Sequence, residues 1–164
     1  MENQNQTRRI TSQYTDWSLS FDCPASWKLT ERPIQRGVSF SLHAPPDSDL
    51  SLHASITVWA WLDRGYPPSH WADEWIERYQ AAYTFCLLAR TETKVADAEA
   101  IQVDAAHDMP KQSHKPNEKR VTIRERIIFA VRGAETYRLT YWVPQKDFEE
   151  HLPVFEDLVA SFQM

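Results

Sequence analysis

The feature that most constrains this chain is its last thirty residues, where the alternating run from Glu135 to Val143 stops at Pro144 and leads straight into a helical pattern ending Val159-Ala160-Ser161-Phe162. A period of two beside a period of 3.6 means a half-buried strand followed by a helix with one apolar stripe, Phe148, Leu152, Phe155, Leu158, Val159 and Phe162. Such a pair is stable only if the helix folds back onto a sheet. Pro153 lies within the helical stretch and predicts a kink or a restart, with a first turn at 147–152 and a longer segment after it.

The rest of the chain supplies the sheet. Trp17, Leu19 and Phe21 alternate with polar residues, and Cys23-Pro24-Ala25-Ser26 turns this run toward a second strand around Trp27-Lys28-Leu29, which reads as a hairpin. Val38 to Leu42 repeats the alternation. Ile56 to Leu62 is apolar on both faces, with Ile56, Val58, Ala60 and Leu62 on one side and Trp59 and Trp61 on the other, as expected of a strand in the middle of a layered structure. Pro67-Pro68-Ser69 predicts a helix start with Ser69 as cap, and Trp71, Trp75, Tyr79, Ala82, Tyr83 and Cys86 follow at helical spacing. Four more alternating stretches come next, at about 87–95, 100–106, 121–131 and 136–143, so the fold class is α+β: a mostly antiparallel sheet flanked by helices. Residues 108–119, with two prolines and several lysines, read as a long hairpin loop.

At 164 residues the chain fits one domain, assigned to 13–164, behind a polar tail at 1–12 that lacks periodicity and reads as disordered. Three glycines are too few for a phosphate-cradling loop, which argues against a nucleotide site. A net charge of -5 with interspersed Lys and Arg argues against nucleic acid. The N-terminal run has no apolar signal-peptide core and no stretch approaches the roughly 18 apolar residues of a membrane span, so the expectation is a cytoplasmic protein, with Cys23 and Cys86 as reduced thiols.

The order and spacing of these pieces resemble the PsbP-like superfamily, which includes the extrinsic photosystem II protein PsbP, bacterial DcrB-like proteins and a yeast Ran-binding import factor. The resemblance is carried by Phe21, Pro24 and Trp27 around the first turn, by the small-residue turn Ala96-Asp97-Ala98-Glu99-Ala100, and by the terminal unit from Tyr137 to Phe162. It implies an antiparallel sheet with helices on both faces and no common reaction. Members resemble adaptors, assembly factors or lipoproteins, and one bacterial branch resembles chaperones for type VI secretion effectors. This chain departs from the exported members in lacking an export signal and lipobox cysteine, which weakens an envelope role.

Catalytic constellations are missing from the sequence. No two of the six histidines fall at the helical spacing that lets side chains share a metal; His43 with His53 across the Pro45-Pro46 loop, or Asp104, His107 and Asp108, would have to assemble through the fold. The cysteines have no nearby histidine, no Gly-x-Ser-x-Gly elbow is present, and adjacent carboxylates such as Asp73-Glu74 and Glu149-Glu150 point in different directions. The expectation is a non-enzyme without cofactor or metal, acting as a protein-binding adaptor, assembly factor or chaperone, its oligomeric state open and a homodimer included. The alternative is a small-ligand or lipid-binding module of the same fold. Seven tryptophans nominate the contact surface: either Trp59, Trp61 and Trp142 line a partly open groove, or they are core beneath the first helix against Trp71 and Trp75. The basic residues Lys115 and Lys119, continued by Arg124 and Arg126 on one strand face, are the second candidate contact, for an acidic protein surface.

Overall fold

The computed structural model describes residues 6–14, 16–45, 53–82, 84–109 and 121–164. Seven strands form one antiparallel sheet: β3 (Lys28–Ile34), β4 (Gly37–His43), β5 (Ser55–Leu62), β9 (Glu135–Pro144), β8 (Thr122–Arg132), β7 (Ala98–Asp108) and β6 (Phe85–Val95), in that spatial order. It is two meanders joined where β5 pairs with β9, with Val58 opposite Leu139 and Trp59 opposite Arg138. The connection from β5 to β6 must therefore cross three strands, and the helix α1 (Pro68–Ala82) makes that crossing, packing on β6, β7 and β8. A two-stranded sheet, β1 (Thr7–Thr11) with β2 (Ser20–Pro24), lies with the C-terminal helix α2 (Phe148–Ser161) on the opposite face.

Alternation along the strands sorts the residues onto these two faces. Toward α2 point Val38, Phe40 and Leu42, Ile56, Val58 and Ala60, and Tyr137, Leu139, Tyr141 and Val143, all buried together with Phe148, Phe155, Leu158 and Phe162. Phe155 stacks on Tyr141 at 5.7 Å between ring centroids, and the Tyr141 hydroxyl donates to the Phe148 carbonyl at 2.8 Å. A second, smaller core forms on the other face, where Ala72, Trp75 and Ile76 of α1 meet Ile101, Val103 and Ala105 of β7 and Ile127 and Phe129 of β8.

Several expectations are corrected. Residues 7–11, assigned to a disordered tail, form β1. Only Ile10 there is apolar, and the strand is held by its pairing to β2 and by Arg9, which reaches Asp22, Ser20 and the Ser161 carbonyl, contacts that no local periodicity reveals. The predicted hairpin between 17–21 and 27–29 does not form: β2 and β3 belong to different sheets, and the turn at Cys23–Ser26 carries the chain from one to the other. Helix α1 begins at Pro68, a position where proline's missing N–H costs nothing, so Ser69 lies inside the first turn instead of capping it. That helix stops at Ala82, which puts Cys86 on the exposed edge strand β6, and Tyr83 falls outside the described residues. Helix α2 runs through Pro153 without a restart. Pro153 and Glu149 are both exposed, so the carbonyl left unbonded four residues before the proline faces water.

Candidate aromatic cleft

Helix α1 covers only half of its face of the sheet. On β5 and β9 the α2-side residues Ile56, Val58, Ala60, Tyr137, Leu139, Tyr141 and Val143 are fully buried, whereas Trp59, Trp61, Arg138, Thr140 and Trp142 on the α1 side remain partly exposed. The boundary between covered and open halves is a cleft of about 260 Å³. Trp75 and Tyr79 of α1 form one wall, Trp59 and Trp142 the other, with Arg138, Thr57 and Thr140 between the tryptophans and Glu125 and Ile127 at the floor.

The register explains how these side chains meet. Trp59 lies opposite Arg138 across the β5–β9 pair, and Trp142 lies opposite Glu125 across the β9–β8 pair. The Arg138 guanidinium carbon sits 4.7 Å from the Trp59 ring centroid, a cation–π contact. Its Nε is buried and has no hydrogen-bond partner among the described residues, and the same holds for the second carboxylate oxygen of Glu125. Burial pulls the Arg138 pKa below its usual value, against the opposing effects of Tyr79 and the Glu125 carboxylate. Glu125 is itself buried, 4% exposed. One carboxylate oxygen lies 3.6 Å from His107 Nε2, and this contact is the main reason the His107 pKa is raised, burial acting the other way. Tyr79 stacks on Trp75 at 4.1 Å and meets the His107 ring edge-on at 5.5 Å, tying α1 to the floor of the cleft.

The nominated residues separate. Trp59 and Trp142 line the cleft, while Trp61 packs edge-on against Trp71 at 5.3 Å beneath the start of α1. Arg124 and Arg126 share a strand face, as read from the sequence, but it is the α2 face. Arg126 forms a two-point pair with Asp104, at 2.7 and 3.3 Å, and a 3.3 Å contact with Glu156. Arg124 stacks on Phe148 at 4.0 Å and lies 3.6 Å from Glu149. The structure does not bring these arginines to the tryptophans. Lys115 and Lys119 lie outside the described residues. Asp104 and His107 project from opposite faces of β7, which removes that metal-ligand combination, and among the described residues no group of three His, Cys, Asp or Glu could hold a metal ion. A larger hollow of about 540 Å³ at the start of α1 is lined by Pro67, Pro68, Glu92, Lys94 and Glu99 and has no aromatic wall.

Sequence reasoning passed over Arg138 and Glu125, and weighed His107 only as a metal ligand. A signal for Glu125 was present: between Ile123 and Ile127 it takes an apolar position on a strand face otherwise facing core.

Comparison with solved structures recovers the whole architecture. LpqN of Mycobacterium tuberculosis, described as involved in cell envelope biogenesis, aligns over 97% of this chain and 91% of its own, with a TM-score of 0.65 at 11% identity. Cyanobacterial PsbP from Synechocystis sp. PCC 6803 aligns over 96% and 92%, with a TM-score of 0.61 at 8% identity. The fold is PsbP-like. The Ran-binding protein Mog1p of Saccharomyces cerevisiae shares this PsbP-like fold over 96% of this chain and 95% of its own, with a TM-score of 0.61 at 10% identity. No family model and no curated protein matches the sequence. No described helix is long and apolar enough to cross a membrane.

Proposed function

We propose that this PsbP-like domain is a non-enzymatic protein-binding module, an adaptor or chaperone, and that the open half of the α1-side sheet face is its contact surface. The observation that carries the reading is the pair of partly exposed tryptophans, Trp59 and Trp142, held on rigid strands beside a cleft while Ile56, Val58, Leu139, Tyr141 and Val143 on the other face of the same strands are buried. Aromatic anchors on a rigid frame, next to a pocket that excludes water, are what protein hot spots are made of. Mog1p, of the same fold, is a Ran-binding protein, which agrees with a binding role for this architecture. The size of the cleft favours a side chain of a partner over a free small molecule, since about 260 Å³ falls below the roughly 300 to 1,000 Å³ of ligand pockets.

Selection of peptides from a displayed random library against the wild-type domain tests the reading. Selected peptides should lose about 2 kcal/mol of affinity, some thirtyfold, for Trp59→Ala, whose melting temperature should stay within a few degrees of wild type. Peptides that bind equally well to Trp59→Ala and Trp142→Ala would place the contact surface elsewhere.

A further inference from the structure

The cleft contains a charge that the fold does not fully answer. Arg138 projects from a central strand, with Trp59 on one side and Phe129 on the other in register, and Thr136 and Thr140 as its same-face neighbours along β9. None of these four is an acid. Glu125, the acid at the floor, lies 3.6 Å from His107 and acts on Arg138 only through its field; its other oxygen and the Arg138 Nε are both buried, with no hydrogen-bond partner among the described residues. With Nε buried and Cζ over the Trp59 ring, the two terminal nitrogens of Arg138 are the donors left to meet the two oxygens of a carboxylate. Burying such a fork without an anion paired to it is unfavourable, and a carboxylate entering the cleft would relieve that.

We propose that the cleft is a carboxylate-reading subsite. Arg138 receives an acidic side chain of a protein segment whose neighbouring apolar residue lies on Trp59 and Trp142. The proposal rests on the protein-binding reading and adds the chemistry by which a partner segment is selected. The aromatic walls accept an apolar neighbour, and the stacked guanidinium selects the charge. Segments with an acid next to a Phe, Leu or Trp satisfy both, whereas basic segments place like charge against Arg138 and are rejected.

Four synthetic probes on the wild-type domain test this: the amidated, acetylated tripeptide Phe-Glu-Phe, its Phe-Gln-Phe counterpart, and acetyl-Phe-Phe with either a free or an amidated C-terminus. Binding is followed by nitrogen-edited NMR of the Arg138 Nε–H and the Trp59 and Trp142 indole N–H signals, assigned with Trp→Phe variants. The Glu probe should bind about tenfold or more tighter than the Gln probe and shift all three signals, because a charge-assisted pair replaces a neutral contact. A free-terminus dipeptide that binds more tightly than the Glu probe would overturn the acidic-side-chain reading in favour of a chain end. Arg138→Gln should abolish the preference for charge, and Arg138→Lys should restore part of it. Should Arg138→Gln fail to fold, the wild-type comparison and the Lys variant still decide.

Equal affinities for the charged and neutral probes would overturn the carboxylate reading and leave the protein-binding face standing. A preference for charge that shifts signals other than these three would overturn it too, by placing the anion site elsewhere. Absence of binding by every probe at millimolar concentration would end the proposal, while the library selection would still decide separately whether the face binds protein.

Discussion

Phe155→Ala is the sharpest test of how α2 is docked. Phe155 is 1% exposed, lies in the middle of the helix, and stacks on Tyr141 with an interplanar angle of 20°. Removing the ring forfeits about 2 to 3 kcal/mol of apolar transfer and about 1 kcal/mol of ring pairing. The cavity left against Tyr141, itself fully buried, adds to this, so the loss should be about 3 to 5 kcal/mol. For a domain of this size that corresponds to a drop of roughly 6 to 20 °C in melting temperature. Urea unfolding followed by far-ultraviolet circular dichroism measures it directly, with the slope of the transition unchanged if only the folded state is affected. A loss below about 1 kcal/mol would refute the docking of α2, since no fully buried phenylalanine is removed so cheaply.

Trp61→Ala should cost about 2 kcal/mol of stability, as half-buried packing beneath Trp71 is lost, yet leave the affinity of peptides that depend on Trp59 unchanged; combined melts and binding curves separate the two roles. Because the folded-state pKa of His107 is raised, its contribution is complete below the unfolded value near 6.5 and disappears as pH rises through the folded value; urea midpoints should fall from pH 6 to pH 8, and His107→Gln should flatten the profile. Cys86 is exposed and Cys23 buried, with burial raising the Cys23 thiol pKa, so one thiol per chain should react rapidly with a disulfide reagent and the second only on unfolding. Two fast thiols would mean that the β1–β2 sheet opens readily.

What could be read from the sequence follows from how far each signal reaches. The stripe Phe148, Phe155, Leu158 and Phe162 and the apolar face Ile56, Val58 and Ala60 of β5 are legible because burial repeats at fixed local periods, and both sit where that period puts them, whereas Leu62, read onto the same face, ends the strand exposed. β1 was not legible, since one isoleucine among threonines and arginines carries no period and the strand exists only through partners in β2 and α2. Pro153 was legible as a residue but not as an outcome, because whether a lost hydrogen bond breaks a helix depends on which side of the helix faces water.

The cleft shows the same division between local and distant information. Alternation put Trp59 and Trp61 on one face of β5 but could not tell which of the two α1 would cover, and that is decided by the crossover: α1 starts above Trp61 and heads over β8, β7 and β6, leaving Trp59 at its margin. The crossover itself follows from β5 pairing with β9 at the far end of the chain. It is this pairing that places Arg138 on Trp59, more than seventy residues away in sequence, with Glu125 and His107 one and two strands beyond. A polar residue on a core-facing strand position signals that a charge is buried, and only the register says what faces it. The consequence is specific: a one-residue slip of β9 against β5 would turn Arg138 and Trp142 to the α2 side and dismantle both the cleft and the main core at once, so the aromatic cleft is as firmly fixed as the fold.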